Sequence, residues 1–244
     1  MNKLGRATLL LAIGSVMGRL LWSGGFGWFV QQHMRWPLLA ATIMLLILGS
    51  YDGVRGSLEE EADPGSAKRS AGPSVGWLLV LPLFVLISVA PTGLGAAAAD
   101  RVDAFTPVEN TDEFPPLEEV NGIVEMRVFD FLDRAAWDPE RSLEDQVVRL
   151  EGLVVDDPTS PDAFKLTRFM VSCCAADGIP LQVTTHGAGT ILAEDTWVVA
   201  DVIWRPPSVP YQEIEGDWVI EADIVQLTVV PNAPNDPYES PYDD

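Results

Sequence analysis

"VVRLEGLVV", residues 147–155, decides how the second half of this chain is read. It is an apolar run of strand length, rich in valine, and it ends at the turn-forming "DDPTSPD" (156–162). Gly152 inside it predicts a bulge that bends the strand, as a small closed sheet requires. Four similar runs follow: "FKLTRFMVSC" (164–173), "IPLQVTT" (179–185), "TWVVADVIW" (196–204) and "WVIEADIVQLTVV" (218–230). "HGAGT" (186–190) and "PPSVP" (206–210) break the series. Side chains alternate, with Phe164, Leu166 and Arg168 on one face and Lys165, Thr167 and Phe169 on the other. Five short strands predict a five-stranded OB-like β-barrel over 146–231, with a β-sandwich as the alternative.

Upstream, "MRVFDFLDRAAWDPERSLEDQ" (126–146) sets Val128, Phe131, Leu132, Ala135 and Ala136 at helical spacing, and Pro139 stops it. This predicts one helix packed on the strands, preceded by a Pro- and acid-rich tether, the two together filling 100–145. The tail "NAPNDPYESPYDD" (232–244) reads as disordered and acidic.

Charge divides the chain. Residues 1–92 hold seven basic and five acidic side chains, or +2, whereas 93–244 hold eight basic and 31 acidic, or −23. So acidic a surface excludes nucleic acid as a partner, because a binder needs a basic footprint on phosphate. It favours cations.

The basic half carries three apolar stretches, 7–30, 36–51 and 75–99. A spanning helix needs about 20 mostly apolar residues, so the reading is a membrane α part with about three N-terminal transmembrane helices. Two lie in 1–51 and the third in 75–99, with a flexible loop at 52–74. Lys3, Arg6, Arg55, Lys68 and Arg69 put the N-terminus and that loop in the cytoplasm by the positive-inside rule. Everything after about residue 99 is then extracytoplasmic. The expected location is a bacterial cell membrane, multi-pass, with the lipid bilayer as one partner.

The two cysteines, Cys173 and Cys174, are adjacent in "RFMVSCCAADG" (168–178). In mid-strand the pleat would point them apart, but Asp177-Gly178 signals a turn, so both thiols can face one side. Three roles stay open: small buried hydrophobes, a redox or partner-thiol role, or a metal site. The metal site would use Cys173, Cys174, Asp177 and His186, a thiolate and imidazole set that suits zinc or copper. Arg168 reads as one half of a structural ion pair. Asp201 and Glu221 lie within strands and read as solvent-facing. No Ser/His/Asp order, phosphate loop, HExxH or nucleotide fingerprint occurs, which predicts a protein that is not an enzyme.

"VRLEGLVV", "RFMVSCCAADGIPLQV", "WVIEADIV" and the exit "APTGLGAAAADR" together resemble the YcgQ-type bacterial family of permease subunits, over nearly the whole chain. Arg168, Phe169, Cys173, Cys174 and Asp177 carry the most specific part of that resemblance. It implies an integral membrane protein with an outside β domain that works beside a separate multi-helix permease, and it hints at metal handling, zinc in particular. The expected function is thus a non-enzymatic subunit assisting a permease. The alternatives are a thiol-dependent metallochaperone or redox protein, or an OB-like ligand-binding module with a groove lined by Trp197, Trp204 and Trp218.

Overall fold

The structure is a computed structural model that describes residues 3–62, 93–108, 110, 113–158, 160, 162–214, 218–231, 233–234 and 236–242. It divides into two compact units, 1–93 and 94–244.

In the first unit, helix α1 (Lys3–Ser23) and helix α2 (Arg35–Ala62) are joined by two short 3-10 turns. Gly24, in the left-handed conformation at φ 74°, ends α1. The helices pack antiparallel along small residues. The α-carbon of Gly14 faces Leu46, that of Gly18 faces Thr42, that of Gly49 faces Leu11, and that of Gly53 faces Ala7. A Cβ on Gly14 or Gly49 would come within 2.9 Å of the facing leucine, so glycine is what lets the two backbones approach. Arg6 closes the seam by pairing with Asp52 at 2.7 Å. The rest of α2 turns outward. Ile43, Met44, Ile47, Tyr51, Val54 and Leu58 are each at least half exposed.

The expected set of about three transmembrane helices needs correction. Among the described residues one helix, over Gln32–Gly56, is long and apolar enough to cross a membrane. The apolarity of α1 is diluted by Lys3, Arg6 and Arg19. Most of the third stretch, 75–92, lies outside the described residues. The 52–74 loop is also redrawn, because α2 continues to Ala62.

The second unit holds the β structure. Its strands are β1 (Glu119–Val120), β2 (Ile123–Glu125), β3 (Val147–Asp156), β4 (Ala163–Met170), β5 (Ile179–His186), β6 (Trp197–Arg205), β7 (Glu221–Val230) and β8 (Tyr238–Glu239). A single turn, α3 (Ala96–Ala99), precedes them, and helix α4 (Val128–Trp137) lies between β2 and β3. Among the described residues all eight strands share one sheet in the order β1-β2-β3-β6-β7-β5-β4-β8, with β3 also pairing β4. Pairings β2–β3, β4–β8 and β5–β7 are parallel. This corrects the five-stranded OB-like barrel. The five runs are strands, but the sheet is mixed and recruits three further short strands from segments read as tether and tail.

The tail is corrected too, since Tyr238, Glu239 and Ser240 are buried. The backbone N–H of Val171 donates to the Glu239 carbonyl at 2.9 Å, extending the ladder beyond β4.

Gly152 makes no bulge, because its pairing with Val198 keeps the register of β3 and β6 unbroken. It is instead a point of close approach. A Cβ there would lie 2.7 Å from Leu166 Cδ2 and 2.8 Å from the Thr167 carbonyl oxygen. The register shift falls on the β6–β7 ladder, between Asp201 and Val202.

Two apolar cores result. The larger gathers Phe131, Leu132, Val148, Leu150, Leu166 and Leu181 under α4. Val128, Phe131, Leu132, Ala135 and Ala136, the helical stripe read in the sequence, are all buried there. The smaller core joins Ala96 and Ala99 to Leu153, Val155, Phe169, Val171 and Tyr238, with Leu94 against its edge.

Candidate metal centre

Strand β4 ends at Met170, and the chain then bends through Ser172 and Cys173. Cys174 is extended, at φ −153°, and a 3-10 turn over Ala175–Asp177 follows. Asp177 folds back over this bend. Its Oδ1 accepts from the backbone N–H of Ser172 at 3.1 Å and its Oδ2 from that of Cys173 at 2.9 Å. Its own N–H donates to the Cys174 carbonyl at 3.0 Å. The pleat no longer governs the two cysteines, and both thiols come to one side. One donor atom from each of Cys173, Cys174 and Asp177 lies within 4.8 Å of the others.

Both cysteines are free thiols, Cys173 exposed and Cys174 half-buried. A buried-hydrophobe role therefore does not describe Cys173. Partial burial works to raise the Asp177 carboxyl, but the N–H groups and the thiol around it hold it below the usual carboxylate range. The same contact acts oppositely on the thiol. Its hydrogen bond to Asp177, and then that to Cys174, push Cys173 up to about 11. A thiol held protonated is a poor nucleophile, which counts against redox catalysis. It does not prevent metal binding, since a metal displaces the proton.

His186 is not part of this cluster. It ends β5, whereas the cysteine turn precedes the start of that eight-residue strand, a separation of about 23 Å along a strand. Its Nε2 lies 2.8 Å from Glu221 Oε1. Glu221 is therefore engaged rather than simply solvated. Asp201 is buried at 4 % exposure, contrary to the solvent-facing expectation. It receives a two-pronged bond from Arg149 at 2.7 and 2.9 Å.

Arg168 is 8 % exposed. Its Nη2 donates to the Asp236 carbonyl at 2.7 Å. Nη1 stands 3.7 Å from Glu151, within ion-pair reach but beyond a hydrogen bond. Its guanidinium also lies 5.1 Å from the centre of the Trp197 ring. Phe169 is buried in the smaller core. Both residues thus stand outside the donor set.

The aromatic groove expected of a ligand-binding module is not formed by the three tryptophans. Trp204 is a core residue, and Trp218 stacks on Trp137 and Tyr211 at 5.6 and 5.7 Å. Trp197 belongs to the other core.

The sequence reading missed Glu239. Its carboxylate accepts the backbone N–H of Val128 and of Phe129, each at 2.9 Å, at the start of α4. This is a helix cap supplied from 111 residues away, a distance that no local pattern could reveal. Burial raises its carboxyl, although those N–H groups and the two arginines oppose the shift.

The chain matches no family model, no curated protein and no solved structure.

Proposed function

We propose that this chain is a non-enzymatic, membrane-anchored subunit. Its acidic β unit binds a thiophilic metal ion, zinc or copper(I), at Cys173, Cys174 and Asp177 in support of a multi-helix permease. The observation that carries the reading is the convergence of two thiols and a carboxylate at an exposed turn. Three protein donors leave a fourth position of a tetrahedral ion open, which suits loading and transfer rather than a closed structural site. The surplus of acids over bases in 93–244 draws cations toward it.

The glycine seam between α1 and α2 supports insertion of both helices as a packed hairpin. That reading makes the anchor multi-pass and leaves Lys3, Arg6 and Arg55 on one side, which the positive-inside rule assigns to the cytoplasm. An extracytoplasmic β unit, as proposed, requires the chain to cross once more within the apolar run 75–92.

Metal titration of the full-length protein in detergent, wild type against Cys173→Ser with Cys174→Ser, tests the site. One-to-one binding that the double variant loses is the expected result. Equal binding by both, or none by wild type, refutes it. Co-purification with a multi-helix permease encoded beside this gene tests the partner.

A further inference from the structure

The metal turn also serves as a seat. Gly178 directly follows Asp177, and a Cβ on it would lie 2.3 Å from Leu94 Cδ1. The Leu94 side chain thus rests on bare backbone. Leu94 is the point at which the chain joins the β unit after the apolar run 75–92. Its N–H donates to the Tyr238 hydroxyl at 3.0 Å. Two residues on, the Ala96 N–H donates to Asp195 Oδ1 at 2.6 Å.

The other end of the turn is tied to the same place. Val171, just before Ser172, donates to the Glu239 carbonyl, and Phe169 pairs with Tyr238 in the β4–β8 ladder. Residues 171 and 178 therefore bracket the metal donors, and each touches one side of a junction built from 94–99 and the strap 236–240.

A tetrahedral zinc ion holds two thiolates about 3.7 Å apart, given Zn–S bonds of about 2.3 Å. The three donor atoms here already lie within 4.8 Å of one another. A bound ion ties all three donors to one centre, and so fixes the turn and both of its ends, residues 171 and 178, against the junction.

We propose that occupancy of the cysteine turn is transmitted to this junction. A bound metal clamps 94–99 and the strap, and the metal-free turn releases them. This rests on the metal reading above, and it supplies that reading with an output, a change in how firmly the β unit grips the chain that leads to its apolar segment. By linkage, the grip of the junction acts back equally on the affinity for metal.

The test is amide hydrogen exchange on the full-length protein in detergent, with and without zinc, with zinc stoichiometry measured on the same samples. In wild type, zinc slows exchange of peptides spanning 94–99 and 236–240 by about fivefold or more. The double variant Cys173→Ser with Cys174→Ser shows no such change. Tyr238→Phe keeps all three donors and removes the Leu94 hydrogen bond. It still binds zinc, more weakly, and loses the effect at 94–99 while retaining it at 236–240. Zinc bound one-to-one with unchanged exchange in both peptides overturns the coupling alone. Absence of zinc binding overturns the metal reading, and the coupling with it.

Discussion

Asp177 does two things with one carboxylate. It holds the turn by accepting from two backbone N–H groups, and it keeps the proton on Cys173. Asp177→Asn should lower the Cys173 pKa and speed its alkylation at pH 8, by about tenfold for each unit the thiol falls. Alkylation rate against pH reads this, and an unchanged profile would mean that the carboxylate is not what holds the proton. The raised thiol also sets the pH dependence of binding. Protons compete with the metal at every pH below about 11, so affinity should rise with pH between 6 and 9. The gain is about tenfold per unit for each thiol proton released, read by competition titration.

Glu239 obeys the opposite rule to Asp177. Its folded pKa is raised, so the folded state holds its proton more tightly than the unfolded one. Its contribution is then present below the unfolded carboxylate pKa and lost as pH climbs through the folded value. Urea midpoints measured from pH 4 to 7 should show that decline in wild type, and Glu239→Gln should flatten it.

At the scale of elements, Gly152 marks a close approach of β3 to β4. Gly152→Ala should cost about 1–3 kcal/mol, because part of the clash is with a backbone carbonyl that no rotamer change can move. Denaturant midpoints of the purified protein test this. The glycine seam in the first unit predicts that Gly49→Leu separates α1 from α2. A disulfide engineered between Ala7→Cys and Gly53→Cys should then form far less efficiently in membranes.

The legibility of these elements follows from the range of the forces that make them. The α4 stripe and the five long strands have local causes, periodicity and turn residues, and were readable to within a few positions. The strands β1, β2 and β8 were not. Each is two or three residues long; β2 and β8 exist because the long strands β3 and β4 offer unpaired backbone groups, and β1 in turn pairs with β2. Likewise, the turn at Asp177-Gly178 announced that the thiols could converge, whereas nothing local could say that His186 sits at the far end of β5.

At the scale of the molecule, the chain joins an apolar helical unit of near-neutral charge to a strongly acidic β unit. Sidedness is the property to measure. A membrane-impermeant maleimide should react with exposed Cys173 in intact cells, at alkaline pH where enough thiolate is present. Reaction only after lysis of the folded protein would place the β unit in the cytoplasm.

The cap that Glu239 places on α4 has a temporal consequence. Helix α4 is made early, and its first amides wait for a carboxylate that emerges 111 residues later. Because non-local contacts are slow to form, the strap should dock late, onto a sheet already largely assembled. Until then, the start of α4 and the edge of β4 lie bare together. A nascent or truncated chain that stops before Tyr238 should therefore be the species that chaperones hold and proteases cut.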